Sequence, residues 1–408
     1  MSNISRQEPI IICGGGLAGS ACAIGLAQRG HRVTLLEKAN FPRRKLCGEF
    51  LGPDAMPVLE ALEVLDTVLA QMPQVKTIRL HNRTGQALTV KTSWIRRDYP
   101  YAVAASRAVL DILLLEHAKA WGVNVQENNR VVRYEVDTYT GKDELFRVEV
   151  EECGFDSQPP THHAYETRWL IDAGGRNSQL ATIANRLPSN AQKASSPANP
   201  TKGSTKIEKG VGMQCHIRLA SKQTDLSMFF FNEGYGGIQP ISAEYANLCV
   251  WVNPKAAQTC QQDSKKLIDL LRGNPAANRL LRETAFDDNA TEKLQTVGGV
   301  RQLHQMPGKQ TLWRIGDAML TVEPFSGFGM SHALQSGLLA AHAIDEARRA
   351  GLGYPHALER YTWLHRQKFA THMQVLKRVQ PILHTAWLQK LCWPLLPPVL
   401  PLAAMLYR

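Results

Sequence analysis

Three isoleucines, Ile10 to Ile12, run almost directly into Gly14-Gly15-Gly16-Leu17-Ala18-Gly19, a G-x-G-x-x-G pattern. Nothing else in the chain restricts its fold as tightly. The β-branched run reads as a strand covered on both faces. The Ala/Leu-rich stretch from Leu17 to Arg29 reads as a helix ended by Gly30, and Arg32 to Leu36 as the next parallel strand. In such a unit Gly14 permits the tight turn, Gly16 brings backbone close to a pyrophosphate, and Gly19 lets helix pack on strand. The helix start offers unpaired N–H groups and the positive end of its dipole to phosphate. Glu37 closes the second strand about 18 residues after Gly19, where an acid accepts hydrogen bonds from an adenosine ribose. An acid there selects a free ribose, as in FAD or NAD.

Composition narrows the class. The chain has 408 residues, enough for two intertwined domains. Its net charge of +11 suits a phosphate-rich cofactor or an anionic membrane surface. No basic run is interleaved with aromatics, so nucleic acid is not an expected partner. The eight cysteines are scattered without Cys-x-x-Cys pairs, which argues against structural zinc and a disulfide framework and fits a reducing compartment. No metal site is expected. With no signal peptide and no clean transmembrane stretch in view, the expected location is cytoplasmic.

Further along, Lys76 to Val90 reads as a hairpin around Asn82-Arg83-Thr84-Gly85, and Ser106 to Trp121 as a helix. Val131 to Val150 reads as strands with a turn near Gly141, and Trp169 to Ala173 as a buried strand. Pro188 to Gly210 has no periodicity and reads as a mobile loop. Strands are expected at Val211–Arg218, Met228–Phe231, Asn247–Val252 and Leu312–Ile315, then a long helix from Met330 to Arg349. The predicted fold class is α/β: a Rossmann-type FAD-binding domain with a parallel sheet, interleaved with a mostly antiparallel substrate sheet and followed by C-terminal helices. The expected division places the FAD-binding domain at 1–75, 106–187 and 296–349. Substrate-domain strands occupy 76–105 and 211–295, the loop 188–210, and a C-terminal helical segment 350–408.

Three more segments carry a family resemblance. Phe41-Pro42-Arg43-Arg44-Lys45-Leu46-Cys47-Gly48-Glu49 resembles the loop after the second strand of geranylgeranyl reductase-like flavoproteins. Gly316-Asp317-Ala318 and Pro324-Phe325-Ser326-Gly327-Phe328-Gly329 resemble the second FAD motif of the wider family of para-hydroxybenzoate hydroxylase and the flavin-dependent halogenases. Ser106-Arg107 with Leu110-Asp111 resembles that family's cofactor-contacting arginine. The resemblance implies FAD as cofactor, with NAD(P)H or another reductant as electron donor. It implies that Asp317 binds the ribityl chain, that Gly327 and Gly329 present backbone N–H groups near the flavin N1/C2 carbonyl, and that Arg107 contacts the cofactor. Arg43 and Arg44 either contact phosphate or face solvent; one phosphate contact between them is expected, with Arg44 the candidate. Two departures are informative. Gly174 stands where the hydroxylases usually carry Asp, and Met319 where they commonly carry His. The halogenase Trp-x-Trp-x-Ile-Pro segment corresponds to Tyr235-Gly236-Gly237-Ile238-Gln239-Pro240, without either tryptophan. Halogenation is therefore not expected. Only Tyr235 and Pro240 match the reductases' Tyr-x-Trp-x-Phe-Pro cavity segment, and these two are the substrate-pocket candidates.

For chemistry, the resemblance sets Cys47 near the isoalloxazine. It could shape the pocket or relay a proton, with Arg43, Arg44 and Lys45 lowering its pKa, or be a small buried hydrophobe. Glu49 is either an acid/base group or a loop carboxylate paired with Arg44. His162 and His163 read as part of a solvated loop. Met228 to Phe231 could line a cavity or fill a core. From Ile382 the chain turns apolar, with Trp387, Trp393 and many leucines near Lys377, Arg378 and Lys390, while Pro394, Pro397, Pro398 and Pro401 would break a spanning helix. Peripheral contact with the inner face of a membrane is one reading of this tail, and a cover over an apolar substrate mouth is the other. Two reactions on an apolar small molecule remain open: hydride delivery to a carbon–carbon double bond, and monooxygenation in secondary metabolism. A non-catalytic flavin-binding assembly factor is a third possibility. The oligomeric state is not legible.

Overall fold

The computed structural model describes residues 8–138, 144–152, 160–184, 209–218, 223–260, 263–282, 294–301 and 312–397. Its centre is an all-parallel sheet of five strands in the order Trp313–Arg314, Leu170–Asp172, β1 (Ile10–Cys13), β2 (Val33–Leu36) and Asn124–Gln126. Every residue of β1 and β2 is buried. That is why β1 is a continuous apolar run and β2 is interrupted only by the buried Thr34: a parallel sheet covered on both faces has no solvent side to alternate with. The helices that position the site are α1 (Leu17–Ala27), α2 (Arg107–Ala120) and α3 (Gly329–Arg349). Helices α1 and α3 approach to backbone contact: a Cβ on Gly337 would stand 2.2 Å from the Ala18 carbonyl oxygen, and one on Gly25 3.0 Å from the Ala341 Cβ.

A second sheet of seven strands runs in the order Gln295–Arg301, Lys209–Arg218, Tyr245–Val252, Gly234–Pro240, Leu226–Phe231, Thr77–His81 and Ala87–Lys91. All its pairings are antiparallel except Leu226–Phe231 with Thr77–His81. The expected hairpin supplies its edge, turned by Asn82, whose Oδ1 accepts N–H bonds from Thr84 and Gln86. Strand alternation then sorts the faces. Met213, Cys215, Leu248 and Val250 pack against Leu267 and Leu271 of the helix Ser264–Arg272 and Leu281 of the helix Pro275–Arg282. Gln214, Asn247 and Cys249 point the other way, toward the loop that follows β2.

A three-stranded antiparallel meander, Asn129–Thr138, Glu144–Glu152 and Thr161–Thr167, completes the first domain's flank. It corrects one expectation. His162 and His163 are not in a loop but on its outer strand, paired with Glu151 and Val150, where cross-strand hydrogen bonds hold an otherwise polar, exposed segment. The Gly141 turn and nearly all of the expected loop 188–210 fall outside the described residues.

Two last helices, α4 (Tyr354–His384) and α5 (Ala386–Cys392), lead into a single 3₁₀ turn, Trp393–Leu395. The α5 end folds back so that Trp393, 4% exposed, joins Phe230, Tyr235, Trp251 and Leu383 in one apolar cluster on the seven-stranded sheet. Among the described residues, no helix is long and apolar enough to cross a membrane.

Candidate functional site

The turn between β1 and α1 is built as the glycine spacing requires. Gly14 has φ +117, and a Cβ there would lie 2.5 Å from the Ala173 carbonyl oxygen, so the β1 turn and the 172–174 segment touch backbone to backbone. A Cβ on Gly19 would be 1.9 Å from the Gly14 oxygen. Gly16 is the N-cap of α1, with no side-chain cap. The first N–H groups of that helix therefore face a cavity of about 440 Å³ rather than a protein acceptor. Glu37 is buried at the end of β2, one oxygen accepting the Gly15 N–H at 2.8 Å and the other the Ala39 N–H at 3.0 Å. The acid thus braces the glycine turn while it lines the cavity.

The cavity runs from this turn to the seven-stranded sheet. Its lining brings together Gly14, Gly16, Glu37 and Arg43 of the turn, Arg107, Asp172 and Asp317, and Cys47, Phe50, Cys249, Val297, Pro324, Gly327 and Gly329. A phosphate-accepting helix start and an apolar slot within one cavity fit FAD. The detail agrees. Gly327 has φ +64, and a Cβ on it would lie 2.8 Å from the Phe50 ring, so backbone alone can border the slot there. Gly329 opens α3, whose N-terminal dipole favours the negative charge a reduced flavin carries.

Arg107 opens α2 and is nearly fully buried. Its Nε and Nη2 donate to the two Asp111 oxygens, both at 2.7 Å. Burial alone would lower the guanidinium pKa, but the charge and hydrogen bonds of Asp111 outweigh it and hold it above the ordinary value. Lys45 moves the other way: burial and the neighbouring Arg107 charge lower its pKa against the pull of Asp317 and Asp111. Arg43 lines the cavity beside Gly16, whereas Arg44 lines an adjoining cavity with Glu49, Ser106, His216 and Tyr245. Of the two arginines, Arg43 is the one beside the glycine turn, and Lys45 of the same loop lines both cavities.

Cys47 is pinned between the two sheets' elements. Its N–H donates to Gln214 at 2.8 Å and its carbonyl accepts from Asn247 at 2.9 Å. Its thiol pKa is raised, because burial outweighs Arg107, the Glu49 N–H and Lys45. The expectation that basic neighbours would lower it is corrected. Glu49, at φ +55, takes the Arg107 N–H at 3.1 Å and lies 3.2 Å from His216 Nε2. It caps the start of α2 and faces the adjoining cavity. Tyr235 and Pro240 are both buried, and neither lines the cofactor cavity. Tyr235 stacks on Trp251 at 5.7 Å and donates to Glu323 at 2.8 Å.

Sequence reasoning missed Cys249 and the full role of Lys45. Alternation along Asn247-Leu248-Cys249-Val250-Trp251 shows which residues share a face, but only the fold shows which face meets the cofactor cavity. No group of three or more His, Cys, Asp or Glu side chains suited to a metal ion occurs among the described residues.

Known proteins resemble the whole of this arrangement. The chain is 26% identical to menaquinone reductase of Mycobacterium tuberculosis over 372 residues, 88% of this chain and 82% of that one. It is 24% identical to conditioned medium factor receptor 1 of Dictyostelium discoideum, covering 82% of this chain and spanning 62% of that protein's length. The myxobacterial chondrochloren halogenase CndH superposes with a TM-score of 0.73 at 20% identity, covering 91% of this chain and 82% of that one. Flavin-dependent halogenases and monooxygenases thus share the fold. The FAD binding domain model matches residues 7–374, so the chain belongs to that family and is an FAD-dependent oxidoreductase.

Proposed function

We propose that the protein reduces a carbon–carbon double bond of an apolar, lipid- or polyketide-like substrate, in the manner of the geranylgeranyl reductase-like flavoproteins. The observation that carries this reading is the sheet-side end of the cavity. Two thiols, Cys47 and Cys249, line it beside Phe50, Val297 and Pro324, and burial raises the pKa of both. Reduced FAD, when bound, supplies a hydride. Saturating an alkene also needs one proton on the second carbon, for which these two S–H groups are the lining donors by position, while burial disfavours the thiolate that donation would leave. The apolar neighbours exclude water and suit a hydrocarbon chain. The mycobacterial relative, named a reductase, supports the same direction.

Monooxygenation of an aromatic or polyketide-like substrate is the second reading, and the family and its fold neighbours support it equally. The electron donor in either case is NAD(P)H or another reductant. The deciding experiment mixes reduced, FAD-loaded protein with unsaturated isoprenoid quinones and polyketides, with and without O₂. Anaerobic oxidation of the flavin with a substrate mass gain of two hydrogens is the expected result. Turnover only with O₂, and gain of one oxygen atom, would replace the reductase reading with the monooxygenase.

A further inference from the structure

The C-terminal strap has two faces with opposite fates. Leu383, Gln389 and Trp393 are buried against the substrate sheet. Arg83 of the hairpin fastens the strap by donating to the His384 carbonyl at 2.8 Å and, through its backbone N–H, to Gln389 Oε1 at 3.3 Å. On the other side Trp387, Leu391 and Leu395, four residues apart, are 65%, 63% and 66% exposed. Among the described residues these three are the most exposed large apolar side chains, and they stand on one short segment. A folded protein leaves such side chains singly in water, not in a row.

The charge around the row is one-sided. From Arg360 to the end of the sequence there is no Asp or Glu, and Lys377, Arg378 and Lys390 stand nearest the row; the acids of other elements at the strap's inner side are Glu323, buried beside His384, and Glu233, beside Arg83. Each of these three basic side chains is exposed. Indole and leucine side chains beside lysine and arginine, with no acid among them, complement the headgroup layer of an anionic bilayer. Pro394 and Pro397 within the described tail prevent the segment from continuing as a spanning helix. We infer that the Trp387–Leu391–Leu395 face of the strap is a membrane-docking surface that seats the protein on an anionic lipid bilayer. The inference goes beyond the reaction proposed above and stands whichever of the two chemistries holds. Because the inner face of the same strap packs on the substrate sheet through Trp393, docking would set that end of the substrate domain against the lipid phase.

The test is co-sedimentation of the FAD-loaded full chain with phosphatidylcholine vesicles, with and without phosphatidylglycerol. The expected result is binding to the anionic vesicles that weakens with salt, and at least a tenfold loss of partitioning in the triple variant Trp387→Ser, Leu391→Ser, Leu395→Ser. The variant's flavin spectrum and melting temperature should match the parent, since none of the three side chains is buried. Equal partitioning of parent and variant would overturn the proposal, as would absence of the parent from the anionic pellet. A dimer in gel filtration that the triple variant dissociates would also overturn it, by showing that a second copy covers the row.

Discussion

The Tyr235 hydroxyl donates to the Glu323 carboxylate at 2.8 Å, joining the substrate sheet to the residue just before Pro324 at the edge of the cofactor cavity. The carboxylate is 1% exposed and also takes Gln380 Nε2 of α4 at 3.3 Å, with His384 Nε2 at 3.8 Å. Sheet, cofactor loop and C-terminal helix therefore meet at one buried acid. Tyr235→Phe leaves that acid short of a donor and is expected to cost about 1–3 kcal/mol of stability. Urea unfolding checks it, and a cost below a few tenths would show that the hydroxyl is dispensable.

The same acid sets a pH dependence. Burial raises the Glu323 pKa from 4.5 to about 7, against the opposing hydrogen bond from Tyr235. A carboxyl with a raised folded-state pKa holds its proton in the folded protein after the unfolded chain has lost it. Its contribution to stability is therefore fully present below the unfolded value and is lost as pH rises through the folded one. The loss across that window is on the order of 3 kcal/mol. Glu323→Gln is expected to flatten this decline, which melting curves collected at successive pH values would show.

Gly16→Ala separates cofactor binding from folding. The nearest atom to its added Cβ would be Arg43 Nη2 at 3.5 Å, ordinary contact distance, so the fold should survive. The methyl group would project where a pyrophosphate approaches, and FAD affinity is expected to fall at least tenfold, about 1.4 kcal/mol. Far-UV circular dichroism and flavin absorbance after gel filtration report the two effects independently.

Arg107 and Asp111 form a bidentate pair in which both side chains are nearly inaccessible, at 6% and 0%. Asp111→Asn strands the guanidinium charge and is expected to destabilise by about 3–5 kcal/mol. Restoration by a second change, Arg107→Met, would confirm that the cost is the unpaired charge. Chemical denaturation of the single and double variants is the measurement.

Cys47 should resist alkylation. With its thiol pKa raised by burial, iodoacetamide labelling at neutral pH is expected to be slow and to accelerate only in alkaline solution. Peptide mass mapping at Cys47 over a pH series decides it, and rapid labelling at neutral pH would restore the activated-thiol reading.

The opening strand, helix and strand were legible because each is specified locally: a buried apolar run, a glycine turn, an Ala/Leu helix. Arg107, Asp317, Gly327 and Gly329 were legible through resemblance, and all four line the cavity. The rest depended on contacts far apart in sequence. Arg43 and Arg44 are adjacent in a loop without periodicity, and only its path decides which one faces the cofactor. Glu49 meets His216 across 167 residues. Tyr235 sits where a pocket residue was expected, but its pairing opposite Trp251 and the return of the C-terminal strap fill that side of the sheet with packed rings. His162 and His163 looked like loop because their segment is polar, yet neighbouring strands supplied the pairing.

The contact between α1 and α3 has one more consequence. The first turns of the two helices lie side by side, for a Cβ on Gly316 would stand 2.8 Å from the Ala18 Cβ and 3.7 Å from the Ala333 Cβ. Gly337 against Ala18 leaves no room for them to slide past each other. Each helix start is therefore held against the other, so a change that shifts one shifts both.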